Sequence, residues 1–132
     1  MKVILYQKHY NREIIEKETD KVFLFGDNTQ DRTITKHVPY ITQAVIRGLS
    51  NAIGIDTKKT RYTDYTAYLS DNDFEWFKTH VDTQIKAAID SGKTIVIPSG
   101  GIGTGKAKLK EKAPKCFEYL SNKLNKLLNS EM

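Results

Sequence analysis

Cysteine, histidine and proline are scarce in this chain: one Cys, three His and three Pro stand among 132 residues. The single cysteine, Cys116, excludes an internal disulfide. With only His9, His37 and His80 beside it, no metal-ligand spacing is present, so neither zinc nor another metal is expected, and no cofactor either. Cys116 falls in line with Leu109, Ala113, Leu120 and Leu124 at helical spacing, which reads as a small core residue rather than a nucleophile. No apolar run approaches the roughly 20 residues of a membrane-spanning helix. The opening MKVILYQKHY lacks the long apolar core and small-residue cleavage site of a signal peptide, so a cytoplasmic location is expected, with no membrane partner.

The remaining composition is that of an ordinary globular protein, 39% hydrophobic and 28% charged, long enough for one sheet-and-helix core and too short for two. Residues 1–132 are therefore read as a single domain. The formal charge of +5 favours an anionic partner such as a nucleotide or nucleic acid. Much of that excess lies in residues 106–112 and 123–126, where lysines alternating with other residues mark the solvated face of a helix.

Apolar content places strands at Lys2–Gln7 and Lys21–Phe25, the second stopping abruptly at Gly26-Asp27-Asn28. Asn11–Thr19 reads as a short helix or a loop. Ile41, Ala44, Val45, Gly48 and Leu49 recur at helical spacing over Tyr40–Asn51, with Pro39 near the first turn. Residues 51–58 read as a turn, a short strand and a polar exit. Arg61–Leu69 is aromatic and β-branched, a strand or an ordered loop. Ser70 and Asp73 form a variant capping box before a long helix. Its apolar stripe is Phe74, Phe77, Val81, Ile85, Ala88 and Ile89, and Gly92 supplies the C-terminal cap. A last strand at Thr94–Ile97 and a final helix over about Lys108–Leu128, with Pro114 near its start, complete the pattern. Strands alternating with helices predict an α/β domain, whose ligands bind outside the carboxyl ends of the strands.

Two such ends carry chemistry. One is Gly26-Asp27-Asn28. The other is Ser99–Lys106, where Gly100, Gly101, Gly103 and Gly105 follow four β-branched residues and Pro98, a strand, loop and helix start suited to cradling a phosphate. Gly100, Gly105 and Lys106 nearly match the phosphate loop of NTPases, but Ala107 replaces the magnesium-binding hydroxyl. Residues 107–132 read as helix, leaving no strand for the acidic partner. The dinucleotide pattern also fails, because Gly101 and Gly103 require glycine where Lys106 stands. The plainer reading, a flexible turn, leaves the glycine excess unexplained, since each costs about 0.5–1 kcal/mol where it is not needed.

The series FGDN, QAVIRGLSNAIGIDTK and IPSGGIGTGKAKL resembles macro domains, the fold that binds ADP-ribose and its relatives. It is more narrowly similar to small macro-like proteins, many from phages, reading FGDN, GGQA-x-x-R-x-x-x-N-A-x-GIPTK and IP-x-x-GIGTG. The resemblance spans about Val22–Leu120. It implies a macro-domain-like α/β fold with a mixed central sheet flanked by helices. It also implies that Asp27 and Asn28 contact adenine or the distal ribose, and that Gly101, Ile102, Gly103, Thr104 and Gly105 wrap a diphosphate. Gly26, Gln43, Arg47, Thr57, Lys58, Ser99, Gly100 and Lys106 join them as candidate ligand contacts, and Asn51 also matches the pattern. Where the family carries glycines before Gln-Ala, this chain has Lys36-His37-Val38-Pro39-Tyr40-Ile41-Thr42. Tyr40 is placed to stack on a base or ribose, and Lys36 or His37 to face an anion. Tyr62, Tyr65 and Tyr68, three apart, read as packing residues or as a set closing over a base.

The expectation drawn from residues and resemblance together is an ADP-ribose-type nucleotide binder, such as a phage anti-defence protein that sequesters ADP-ribose, cyclic ADP-ribose or a related signalling nucleotide. The loss of the glycine-rich loop weakens any hydrolytic reading. The alternative is a macro-type hydrolase removing ADP-ribose or phosphate from a nucleotide, protein or nucleic acid, with Asp27 or Asn28 positioning water. A third class is a nucleic-acid module using Lys106, Lys108, Lys110 and Lys112.

Overall fold

A computed structural model describes residues 2–31, 43–60, 65–104 and 107–130 of the chain. Four strands, β1 (Val3–Tyr6), β2 (Lys21–Asn28), β3 (Ala52–Lys58) and β4 (Thr94–Pro98), form one sheet in the order β1-β4-β2-β3. All three ladders are parallel, so the described sheet is not the mixed one expected. Among the described residues the one antiparallel pairing is an isolated bridge between Lys58 and Tyr68.

Both central strands are apolar on alternate residues of both faces, which is why their sequences read as continuous hydrophobic runs. Val22, Leu24, Ile95 and Ile97 pack with Ile55 against one helical layer. That layer consists of α2 (Phe74–Asp90) and α4 (Pro114–Asn129), which contribute Phe77, Val81, Ile85, Cys116, Leu120 and Leu124. Phe23, Phe25 and Val96 face the other way, onto Ile15 of α1 (Arg12–Glu16) and Val45 and Ile46 of a 3-10 turn at Gln43–Ile46. The connections β1 to β2 and β2 to β3 thus use one face, and the return from β3 to β4 uses the other. Parallel crossovers of a single hand require that arrangement when the chain reverses direction across a sheet.

Local chemistry explains the helix ends. Asn11 caps α1, its Oδ1 accepting from the Ile14 amide at 3.1 Å. The Asp73 carboxylate accepts from the Ser70 amide at 2.9 Å, closing a capping box ahead of α2. Gly92 follows that helix with φ +70°. Ile89, expected in the apolar stripe, is 43% exposed, since it lies beside Ala88 and cannot share its inward direction.

Two helical expectations change. In place of a helix over Tyr40–Asn51 the described part holds only the 3-10 turn, residues 40–42 lying outside the described residues. The final helix is two: α3 (Leu109–Lys112) ends at Ala113, whose φ of −145° and ψ of 71° leave the helical region, and α4 restarts with Pro114 at its first position. Proline removes a donor and crowds the preceding turn, so it opens a helix rather than continuing one. Arg61–Leu69 contributes a short 3-10 turn at Tyr65–Ala67, with residues 61–64 outside the described residues. Among the described residues no helix is long and apolar enough to cross a membrane.

Candidate functional site

In a parallel sheet all carboxyl ends lie along one edge, and here that edge gathers Tyr6, Asn28, Lys58 and Pro98. β2 runs on through Gly26-Asp27-Asn28 instead of stopping before it, pairing with β3 down to Lys58 across a register shift at Asp27/Asn28. The strand continues because the polar residues find partners inside the fold.

Asp27 and Arg47 form a buried ion pair. Arg47 donates to Asp27 Oδ1 from Nη2 at 2.6 Å and from Nε at 3.0 Å, and the Asn28 amide adds a third donor at 2.8 Å. The two side chains are 2% and 4% exposed. Burial pushes the Asp27 carboxyl above the ordinary carboxylate range, against the downward pull of Arg47 and of the Asn28 amide. Gly54 makes room for the pair: a Cβ there would stand 2.9 Å from Asp27 Oδ2. Asn28 is also committed, its Oδ1 accepting from the Asp31 amide at 2.9 Å and its Nδ2 donating to Asp31 Oδ2 at 3.1 Å. Asn51 does not cap the segment before it. Its Nδ2 donates to the carbonyls of Ile15 and Glu18 and fastens the end of α1.

Gln43 joins the two chemical strand ends. Its Oε1 accepts from the Gly26 amide at 2.8 Å while its Nε2 donates to the Gly101 carbonyl at 2.9 Å. Thr57 lies beneath the same junction, buried, with its hydroxyl donating to the Asp27 carbonyl at 3.3 Å.

The glycine loop is a shaped turn. The Ser99 amide extends the pairing to Tyr6, donating to its carbonyl at 3.0 Å, and the Gly101 amide closes back on Pro98 at 3.0 Å. Gly101 and Gly103 take φ of +86° and +81°, which glycine reaches without the penalty of a side chain. Between them Ile102 drops into the core at 2% exposure and anchors the loop. Thr104 turns inward on the loop, its hydroxyl donating to the Gly100 carbonyl at 2.9 Å. Gly100 is exposed, and a Cβ on it would meet nothing within 4 Å. Among the described residues the amides of Gly100, Ile102 and Gly103 donate to no protein acceptor. Tyr40, Gly105, Lys106, Lys36, His37 and Tyr62 lie outside the described residues.

Beside Gly100 a crevice of about 250 Å³ opens between the ends of β1 and β4. Gln43, Pro98, Ser99 and Gly100 line it together with Tyr6-Gln7-Lys8-His9-Tyr10, a segment that sequence reasoning missed. The chain leaves β1 toward α1 on one face and β4 toward α3 on the other, so the crevice lies where connections diverge. The rule that ligands sit past strand ends, applied to β1 as well as to β2 and β4, would have found it. Tyr6 packs edge-on against Phe23 and at a tilt against Tyr10, while the Tyr10 hydroxyl donates to the Leu24 carbonyl at 2.6 Å. Tyr10 is therefore a wall. Gln7, Lys8 and His9 are exposed and supply polar groups.

Two further clusters lie nearby. Asp56, 1% exposed, has Oδ2 at 3.3 Å from His80 Nδ1 and at 3.2 Å from Gln84 Nε2. Gln84 also accepts from the Asp56 amide at 3.3 Å, covering the outer edge of β3. Tyr68, buried, is surrounded by the ammonium groups of Lys58, Lys108 and Lys112. Tyr65 is 89% exposed whereas Tyr68 is buried, and Tyr62 lies outside the described residues. Cys116 is fully buried and its thiol is pushed up to about 11, chiefly by burial, so it is a packing residue. Among the described residues no three His, Cys, Asp or Glu side chains gather into a metal site.

No curated protein and no solved structure matches the chain. Residues 5–123, which include β2, β3, β4 and the whole carboxyl edge described above, match one family across nearly the full length. The chain belongs to that family, described as Family of unknown function (DUF7831).

Proposed function

We propose that this domain binds an ADP-ribose-type nucleotide along the carboxyl edge of a macro-domain-like fold, and that it sequesters or recognises the nucleotide without turning it over. The observation that carries the reading is the crevice between β1 and β4 running into a glycine loop with undonated amides. At about 250 Å³ the crevice is smaller than the roughly 300–1,000 Å³ of complete ligand sites, so it suits one portion of a nucleotide while the diphosphate lies over the loop. The Tyr6 ring, Gln7 and His9 offer stacking and hydrogen bonds to a base or ribose, and Lys8 offers charge.

Binding without hydrolysis is favoured by where the polar groups point. A general base must reach the water it activates. Asp27 Oδ1 already takes three donors, and the Asn28 amide group is closed on Asp31. Both are held by partners inside the fold.

Isothermal titration with ADP-ribose and its cyclic isomers, followed by mass spectrometry of the recovered nucleotide, tests the reading. Saturable binding with the nucleotide recovered intact is expected. Absence of heat with all of them contradicts it. Product release that disappears in His9→Ala would replace it with the hydrolase reading.

A further inference from the structure

A second cavity opens away from the glycine loop, beside β3. Its volume is about 390 Å³, within the roughly 300–1,000 Å³ of small-molecule sites, and it shares no lining residue with the β1/β4 crevice. Phe25, Leu49 and Ala52 supply apolar wall, and Asp27 lines it with a carboxylate. Asp56, the register partner of Asp27 on the neighbouring parallel strand, lines the same cavity.

The Asp27 carboxylate is engaged on one side only. Its three donors, Arg47 Nε, Arg47 Nη2 and the Asn28 amide, all reach Oδ1. Among the described residues Oδ2 accepts no hydrogen bond, although the side chain is 2% exposed. A carboxylate oxygen held out of water without a donor carries a desolvation cost that a bound donor recovers. Gly54 leaves that oxygen uncovered: a Cβ there would stand 2.9 Å from Oδ2 and 3.1 Å from Phe25 Cζ, and Gly54 itself lines the cavity. Positive charge is favoured at this point, because burial and the neighbouring Asp56 raise the Asp27 carboxyl against the pull of Arg47 and the Asn28 amide. A metal ion lacks ligands here, since among the described residues no three His, Cys, Asp or Glu side chains gather.

We propose that the cavity beside β3 binds a small organic ammonium ion, whose N–H donates to Asp27 Oδ2 while its alkyl stem lies against Phe25, Leu49 and Ala52. An ammonium group is a compact charge with three donors, so one can meet Oδ2 while the others stay hydrated. The stem adds apolar burial that a hydrated inorganic cation lacks. The site is separate from the β1/β4 crevice and stands whether or not a nucleotide binds there. The same chemical group ends a lysine side chain, so a free amine and a protein lysine are the two sources to be told apart.

NMR titration of wild type with n-butylammonium chloride tests the site, with tetramethylammonium chloride as the control that carries the charge but no N–H donor. Saturable amide shifts at Asp27, Leu49 and Gly54 are expected, with NOEs from the butyl chain to the Phe25 ring. Tetramethylammonium should bind at least about tenfold more weakly. Ala52→Leu, which fills the apolar wall, should weaken butylammonium at least about tenfold and leave any ADP-ribose affinity as in wild type. The NOEs need no variant, so they decide the matter if Ala52→Leu does not fold. Nα-acetyl-lysine methylamide should bind more weakly than butylammonium; tighter binding overturns the free amine in favour of a protein lysine. Absence of saturable shifts, equal binding of the two ammonium ions, or equal binding by a folded Ala52→Leu overturns the site.

Discussion

Asp27 and Arg47 hold two opposite charges out of water at the end of β2. Removing one partner of such a pair costs about 3–5 kcal/mol, since the survivor remains buried and uncompensated. Arg47→Met is expected to show that loss with a definite pH dependence. Burial already raises the Asp27 carboxyl above its ordinary value of 3.8, and without Arg47 nothing of comparable strength lowers it. A raised folded pKa means that the group's contribution is fully present below 3.8 and is lost as pH rises through the folded value. The urea midpoint of Arg47→Met should therefore approach that of wild type on acidification and fall away toward neutral pH; a deficit independent of pH would contradict the buried-pair account. Gly103 and Gly100 form a second contrast within one loop. Gly103→Ala places a Cβ 3.0 Å from Leu109 at a φ of +81° and should cost about 1–3 kcal/mol, whereas Gly100→Ala should leave the thermal midpoint unchanged. At this scale the sequence identified which residues matter better than what they do. FGDN marked a polar strand end, but nothing local shows that a partner 20 positions later, Arg47, would turn its aspartate inward.

The elements legible in the sequence are those whose signal is periodic and long. β2 and β4 announced themselves as β-branched and aromatic runs, and α2 through its stripe and its Ser70/Asp73 start. That start supports a test: Asp73→Ala removes the carboxylate that accepts from the Ser70 amide and should lower stability by about 1 kcal/mol in chemical denaturation, while an unchanged midpoint would show that the box contributes nothing. Elements governed by tertiary contacts were less legible. The helical spacing over residues 40–51 is real, yet Gln43 is recruited to bridge Gly26 and Gly101 and the described segment settles for one 3-10 turn. The final apolar stripe runs unbroken through Ala113, and only the steric demand of Pro114 divides it into α3 and α4. Lys108 and Lys112, at the two ends of α3, lie near the Tyr68 ring, a placement that a continuous helix reading could not give.

Across the whole molecule, the strand order β1-β4-β2-β3 decides where chemistry can occur. It brings the first and last strands side by side, so the segment after β1 and the glycine loop after β4 share one crevice although more than 90 positions separate Tyr6 from Ser99. An α/β class follows from the alternation of strands and helices, but the neighbour order does not, which is why Tyr6–Tyr10 escaped notice while Ser99–Thr104 did not. The ammonium groups of Lys58, Lys108 and Lys112 gather around the Tyr68 ring near the same edge. The central claim is that this edge is a nucleotide site. Its most direct test is isothermal titration of ADP-ribose into wild type and Gly100→Val. Saturable binding by wild type, weakened at least about tenfold in a variant of unchanged melting temperature, is the expected result. Binding of equal strength to both, or to neither, would contradict it.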